Sequence, residues 1–281
     1  MGQIISVVNQ KGGVGKTTTT MNLGAFLSEL GQKVLIVDLD PQGNATSGLG
    51  LDSNNTPGTY QALQGEPSAV AALIQTTAHA TLKILTGGAD LAGAQVELVG
   101  EINRERRLAT TLSLVRDDYD YILIDNPPSL GLLTINGLTA SDSVLVPVQA
   151  EYYALEGLGQ LMKTVTLVKQ HLQPQLEIKG AVITMFDPRN NLSNQVLQEL
   201  YKHFPGKIFR SVIPRSIRLA EAPSYGQSIM HYDPASKAAK AYERLAREFL
   251  DKELDQAKES DQAKESDQTT EKAIWTNLKE D

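Results

Sequence analysis

A glycine-rich stretch near the amino terminus constrains the fold of this chain most. Residues 10–18 read Gln-Lys-Gly-Gly-Val-Gly-Lys-Thr-Thr, between an apolar run over 4–8 and a one-faced helical pattern over 18–30. A strand, a glycine loop and a helix in that order bring backbone N–H groups and a helix N-terminus to one point, which favours a bound phosphate. The predicted nucleotide-binding residues of this loop are Lys11, Gly12, Gly13, Val14, Gly15, Lys16, Thr17 and Thr18.

Two side chains of the loop suit a nucleoside triphosphate. Lys16 is placed to reach the β- and γ-phosphates, and the Thr17 hydroxyl is placed to take one coordination position on Mg²⁺. The usual signature has glycine where this chain has Gln10, and the next residue, Lys11, adds a second cation at the loop entrance. A glycine-rich turn with incidental lysines is the alternative interpretation, but three glycines and Lys-Thr-Thr after a buried-type strand argue against it.

Apolar segments of strand length alternate with helical patterns along most of the chain. This alternation predicts an α/β fold of the phosphate-loop NTPase type: a mostly parallel, twisted sheet covered by helices on both faces, with ligands at the carboxyl ends of the strands. After the first strand, strands are predicted over 34–40, 82–85, 121–125, 143–148, 178–186 and 208–213. After the first helix, helices are predicted over 60–63, 69–74, 101–116, 152–172, 192–204 and 235–250.

Charge and composition divide the chain into a body and a tail. Residues 251–281 contain ten acids, five lysines and a repeated Asp-Gln-Ala-Lys-Glu-Ser, so their net charge of −5 leaves −2 on residues 1–250. We therefore predict an ATPase domain over 1–250 and a polar tail over 251–281 that is flexible or a frayed helix. The absence of cysteine excludes disulfides, iron–sulfur clusters and thiolate zinc sites, and no segment resembles a signal peptide or a membrane span. The expected location is the cytoplasm.

Aspartates close two of the predicted strands. Asp40 is predicted to orient or polarise the attacking water, and Asp125 to bind Mg²⁺ directly or through water. Asp38 is predicted to support the waters around the metal. A carboxylate at a strand end can instead act only as a helix N-cap, but two of them beside a phosphate loop favour phosphoryl-transfer chemistry, with Lys16 neutralising charge. The predicted metal-site residues are Thr17, Asp38, Asp40 and Asp125.

Several motifs together carry a resemblance to one family. They are Lys11–Thr18, Asp38–Asn44, Leu91–Ala94, Glu97–Leu98, Tyr121–Gly131 and Ile213–Ser224. In these segments the chain resembles the ParA/Soj partition ATPases, which have a deviant phosphate loop. The resemblance implies a Mg²⁺-dependent ATPase that dimerises with ATP held between two subunits, binds DNA nonspecifically as that homodimer, and releases it after hydrolysis. It also implies that Lys11 is catalytic in the partner subunit's site, that Gly12 must stay small for two loops to approach, and that Asp40 is needed for hydrolysis.

The resemblance extends to the partners. It implies DNA contacts at Arg189 and Arg218, with Arg215 close by, although each arginine can instead be a solvated surface charge. Met185, Pro214 and Arg215 are predicted to form part of an adenine pocket. The implied partner is a ParB-like centromere-binding protein, and the implied location is the nucleoid in the cytoplasm.

Two alternatives remain open at this point: a ParA-like ATPase that positions a protein organelle, and a nucleotide switch that is either regulatory or resembles MinD. A MinD-like membrane ATPase would end in a basic amphipathic helix, whereas this tail is acidic, so no membrane partner is expected.

Overall fold

A seven-stranded sheet forms the centre of the molecule. The computed structural model describes residues 1–53, 55–151, 154–187, 200, 204 and 206–251. The strand order is β3-β4-β2-β5-β1-β6-β7, and every pair is parallel except β3 with β4. The strands are β1 Gln3–Val7, β2 Val34–Asp38, β3 Gln75–Thr76, β4 Leu82–Leu85, β5 Tyr121–Asp125, β6 Ser143–Gln149 and β7 Glu177–Thr184.

Helices connect the strands and cover both faces of the sheet. They are α1 Lys16–Glu29, α2 Asn44–Gly48, α3 Thr59–Gln64, α4 Val70–Leu73, α5 Leu91–Glu97, α6 Arg107–Ser113, α7 Leu132–Ala140, α8 Ala154–His171, α9 Ile217–Glu221, α10 Ile229–Tyr232 and α11 over 237–251. Short 3-10 helices occur at Pro67–Ala69, Leu98–Gly100, Arg104–Arg106, Arg116–Asp118 and Ala222–Tyr225.

The strand residues alternate between two hydrophobic cores. In β2, Ile36 belongs to the core under α1 and α11, whereas its neighbours Leu35 and Val37 belong to the core under α3, α5 and α6. Successive side chains of a strand point to opposite faces, and a parallel sheet covered on both faces must therefore be apolar at every position. The continuous apolar runs of the sequence have this cause, and the predicted fold class is confirmed.

Parallel pairing brings the strand ends that carry polar residues to one edge. Asp38 at the end of β2 stands in register with Asp125 at the end of β5, and Asp125 stands in register with Val7, directly before the glycine loop. The connections of the chain run in opposite directions on the two sides of β1, and this reversal leaves room for a ligand at this edge.

Several details differ from the sequence prediction. The predicted strand over 208–213 is wrong: this segment makes one isolated bridge to β7, between Ile208 and Ala181, because the N–H groups of Arg210 and Ser211 bond to the Glu248 carboxylate instead. The predicted helix over 101–116 is interrupted, since only Arg107–Ser113 is α-helical. Helices α5 and α7 were not predicted. The predicted helix over 192–204 falls almost entirely outside the described residues, as does the predicted tail, and the domain division at 250 stays a prediction.

Candidate active site

The glycine loop leaves its backbone donors free. Gly13 and Gly15 have φ angles of 74° and 90°, a left-handed backbone conformation that residues other than glycine rarely adopt. The N–H groups of residues 12–18 make no hydrogen bond with any part of the chain that the structure describes. Successive free N–H groups that open into a helix form a concave anion site. The loop therefore has the geometry of a phosphate cradle.

Lys16 supplies a buried positive charge under this cradle. Its side chain is almost fully buried, and its Nζ donates to the Lys11 carbonyl oxygen at 3.3 Å. Burial lowers the pKa of Lys16, and the negative charges of Asp125 and Asp40 oppose that shift. Within the described residues no carboxylate lies close enough for an ion pair with Lys16, so the ammonium group keeps capacity for an anionic ligand.

Asp125 holds a buried oxygen without a partner. The Thr20 hydroxyl donates to its Oδ1 at 3.1 Å, whereas Oδ2 is buried and has no hydrogen-bond partner among the described residues. Burial, followed by the charge of Asp38, raises the pKa of Asp125 to about 8. A buried carboxylate oxygen without a donor costs free energy unless a ligand satisfies it. A hydrated divalent cation fits this requirement.

Asp38 is bound by its own chain. Thr46 donates to Oδ2 twice, from its backbone N–H at 2.9 Å and from its hydroxyl at 2.7 Å, and the Asp40 N–H donates to Oδ1 at 3.3 Å. Complete burial raises the pKa of Asp38 to about 6, although these hydrogen bonds act to lower it. Both oxygens therefore hold the turn after β2 in place, which fits a supporting role better than direct contact with a metal.

Asp40 lies in the turn that Asp38 fixes. The strand ends at Asp38, so Asp40 does not continue β2; its carbonyl accepts from Gly43 and its Oδ1 accepts from the Gln42 N–H at 3.0 Å. Its Oδ2 makes no hydrogen bond with described residues. Asp40 is close enough to Lys16 for its charge to oppose the lowering of the Lys16 pKa by burial. One oxygen is thus positioned and the other is free to accept from a water molecule.

The three residues predicted for the adenine pocket share one cavity. Met185, Pro214 and Arg215 line a cavity of about 210 Å³ together with Gly15 and Thr18 of the loop. Ile213 and Leu219 add apolar walls. A flat aromatic ring attached to a phosphate in the loop fits such a concave, mostly apolar space. The assignment to adenine stays a prediction.

Glu151 is a site residue that the sequence analysis missed. Its carboxylate lies 3.1 Å from the Lys11 Nζ and 3.6 Å from the Arg215 guanidinium, and it also accepts from the Gln149 amide. It follows the end of β6, at the same edge as Asp40 and Asp125. The rule that identified those two aspartates, an acid directly after a buried strand, applies to Glu151 equally.

A cationic face on α11 was also missed. Lys237, Lys240 and Arg244 recur at helical spacing and line one exposed cavity with Pro214, next to Arg215. None of the three has an ion-pair partner within the described part of the chain. By contrast, the predicted DNA contact Arg218 pairs with Glu221 at 3.1 Å and with Asp233 at 3.7 Å, and Arg189 lies outside the described residues.

These features together define a phosphate-loop nucleoside triphosphatase. A family model described as an AAA domain matches residues 2–178. The chain is 53% identical over 248 residues to the sporulation initiation inhibitor protein Soj of Bacillus subtilis, covering 88% of this chain and 98% of that one. It is 49% identical over 254 residues to the chromosome partitioning protein ParA of Myxococcus xanthus, covering 90% and 89%. The chain belongs to the ParA/Soj family of chromosome-partitioning ATPases.

A solved structure adds the ligand state of a similar protein. The fold matches cobyrinic acid a,c-diamide synthase from Mycobacterium smegmatis, bound to an ATP analogue and magnesium, with a TM-score of 0.77 and 38% identity over 88% of this chain and 93% of that one. The predicted family, fold class and ATPase activity are confirmed. No helix among the described residues is long and apolar enough to cross a membrane.

Proposed function

We propose that this protein binds ATP with Mg²⁺ and hydrolyses it only as a sandwich dimer, and that the dimer holds DNA until hydrolysis releases it. The observation that carries the proposal is the position of Lys11, at the open mouth of the loop and paired with Glu151, while Lys16 supplies the cation of its own cradle. The loop thus has one lysine for its own phosphates and one at its outer surface. The solved structure with an ATP analogue and magnesium supports the choice of ligand.

The Lys11–Glu151 ion pair is weak enough to be exchanged. Both side chains are partly exposed, at 33% and 44%, and such pairs contribute about 0–1 kcal/mol. A partner's triphosphate, with several negative charges, outcompetes one carboxylate for Lys11. A Cβ added at Gly12 would meet no heavy atom within 4 Å, so this face of the loop is open to a second subunit.

Asp40 and Asp125 divide the remaining chemistry. Mg²⁺, when bound, neutralises phosphate charge; Thr17 and the free Oδ2 of Asp125 are the groups that would hold it or its waters. Asp40 orients the attacking water through its free oxygen, and Asp38 keeps the Asp40 turn in place. Hydrolysis is slow in a lone subunit because Lys11 must come from the other one.

The α11 cations, together with Arg215, are the best candidates for the DNA contact. The helix presents three charges that have no ion-pair partner among the described residues, Arg215 beside them is a fourth, and Arg218 adds a fifth once it leaves Glu221 and Asp233. Contacts of this kind bind phosphate without reading sequence. Arg189 stays a further candidate. We place the protein on the nucleoid in the cytoplasm, with a ParB-like centromere-binding protein as the partner that stimulates hydrolysis.

Trapping the dimer tests the proposal. Asp40→Ala removes the water-orienting group but leaves the loop intact, so the variant should sediment as a dimer with ATP and as a monomer with ADP. Hydrolysis should fall by about 100-fold or more. A monomer under both conditions refutes the assignment.

The same trapped dimer tests the DNA face. In the Asp40→Ala background, Lys237→Gln/Lys240→Gln should lower the salt slope of DNA retention by about 2, because each phosphate contact contributes about 1. Lys33→Gln/Lys83→Gln, directly before β2 and within β4, is the matched control and should leave the slope unchanged. Equal slopes for both pairs would exclude α11 as the DNA face.

A further inference from the structure

A cavity beside α11 combines apolar walls with a cationic rim. Its apolar walls are Phe186, Val212 and Pro214, which are partly buried, and its volume is about 360 Å³. The rim consists of the exposed cations on one face of the helix, Lys237, Lys240 and Arg244. None of them pairs with a carboxylate among the described residues. This space, which we call the α11 cavity, is complementary to a ligand that carries anions beside an apolar anchor.

The tail over 251–281 has the chemistry of such a ligand. It starts at Asp251, the last described residue of α11, and its net charge is −5. Within its repeat, residues 259–267 contain four carboxylates and one lysine. An apolar group follows, made of Ile274, Trp275 and Leu278. The tail therefore carries anions and, further along, one large apolar anchor.

The α11 cavity lies within reach of the tail of the same chain. Lys237 precedes Asp251 by 14 residues, which is about 21 Å along α11. Trp275 follows Asp251 by 24 residues, and a flexible chain of that length spans about 27 Å on average. When the span of a linker matches the distance, the effective concentration of the tethered ligand reaches about 1 mM. A contact with a dissociation constant of about 1 mM is then half occupied within one chain.

We propose that residues 252–281 dock in the α11 cavity of their own chain, with the repeat opposite the cationic rim and the Trp275 side chain between the apolar walls. An indole in this place also gains attraction from the lysine and arginine side chains around it. Phosphate groups of DNA would use the cations alone and leave the apolar walls uncovered, whereas the tail satisfies both parts of the cavity.

The docked tail competes with DNA for the α11 cations. It occupies the three charges that the proposed function assigns to the DNA contact, and it adds negative charge to the face that DNA approaches. This competition rests on the proposed function. Docking itself does not, and it is measurable without DNA.

Trp275 reports docking directly, because the chain has no other tryptophan. Its fluorescence is quenched with acrylamide in the full-length protein and in a synthetic peptide of residues 252–281. A cavity that covers about 70% of a ligand's surface should lower the quenching constant about threefold relative to the peptide. Lys237→Glu/Lys240→Glu should restore most of the quenching, because the rim then repels the repeat.

Two matched variants guard this result against a damaged fold. Neutral amides in place of the four carboxylates of 259–267 alter no described residue and should restore quenching as the rim variant does. Lys33→Glu/Lys83→Glu reverses two charges elsewhere on the body and should leave Trp275 shielded. Quenching in the parent equal to that of the peptide overturns the proposal, as does equal shielding in the parent, the rim variant and the repeat variant. Shielding that weakens on dilution would assign the contact to the tail of a second copy and overturn docking within one chain.

DNA retention separates failure of docking from failure of the proposed function. In the Asp40→Ala background with ATP, Trp275→Ala removes the anchor without changing any charge. It should tighten DNA binding about threefold, because the fraction of chains with a free α11 face rises from about a third to nearly all. A shielded Trp275 with DNA affinity unchanged by Trp275→Ala would support docking and refute α11 as the DNA face. An unshielded Trp275, in a protein whose DNA retention still depends on Lys237 and Lys240, would overturn docking and leave the proposed function supported.

Discussion

The hydroxyl of Thr46 links the active-site turn to the rest of the fold, and its removal gives a quantitative prediction. It donates to Asp38 at 2.7 Å and accepts from the Gly87 N–H at 2.8 Å, and Thr46 and Asp38 are both fully buried. Thr46→Val keeps the shape of the side chain and removes both hydrogen bonds. Loss of a bond to a charged group costs about 1.5–3 kcal/mol, and the orphaned N–H costs about 1–3 kcal/mol more. We expect the free energy of unfolding to fall by about 4 kcal/mol.

The size of this loss should depend on pH. Because the pKa of Asp38 in the folded protein is raised to about 6, the carboxylate that Thr46 stabilises is ionised above that pH and protonated below it. Loss of the hydroxyl raises this pKa further, so the variant loses more stability than the parent as pH rises through that range. The destabilisation by Thr46→Val should be about 4 kcal/mol near pH 8 and about 2 kcal/mol near pH 5.

Urea unfolding followed by circular dichroism measures these values. Thr46→Ser is the control, because it keeps the hydroxyl and loses one methyl group, at a cost of about 1 kcal/mol at both pH values. Equal losses for the valine and serine variants, or a valine loss that does not change with pH, would refute the role of the hydroxyl.

Two further predictions concern the loop and the metal. Gly12→Ala should leave the free energy of unfolding unchanged, because the added Cβ meets open space. Gly15→Ala should lower the free energy of unfolding by about 1–2 kcal/mol, because φ is 90° at that position. Urea unfolding measures both values, and equal losses for the two variants would contradict the loop geometry. The pKa of Asp125 is raised to about 8, so the carboxylate forms as pH increases towards 8. The Mg²⁺ affinity of the ADP-bound protein should therefore increase with pH up to pH 8, by up to about tenfold per pH unit. Titration calorimetry of Asp125→Asn should show no such rise, and a parallel rise in both proteins would exclude Asp125 as the titrating group.

Local patterns were enough to predict the loop, the main strands and two of the acids. Lys16 and Thr17 follow from spacing within one turn of chain, and Asp125 follows from an apolar run that ends in an acid. Glu151 was missed although it follows β6 in the same way. Its role depends on contacts with Lys11 and Arg215, which lie 140 and 64 residues away in sequence, and no local pattern indicates such a meeting.

Long-range contacts also explain the errors in the fold. The segment over 208–213 is apolar enough for a strand, but the carboxylate of Glu248 on α11 takes two of its N–H groups from the ladder. Similarly, both donors to the Asp38 Oδ2 come from Thr46, and no periodicity of the sequence indicates these two hydrogen bonds. A periodicity shows which segments are buried, but not which side chain completes a hydrogen bond across the fold.

The claim that Lys11 acts in the site of the other subunit is tested most directly by mixing two inactive variants. Lys11→Ala cannot complete a partner's site, and Lys16→Ala cannot hold phosphate in its own, so each should hydrolyse ATP poorly alone. In a mixed dimer, one site combines an intact loop with an intact Lys11 from the other subunit. An equimolar mixture at saturating ATP should therefore recover roughly a quarter of the parent rate, since half of the random pairs have one complete site of two. A mixture no more active than the two variants measured separately would contradict the account.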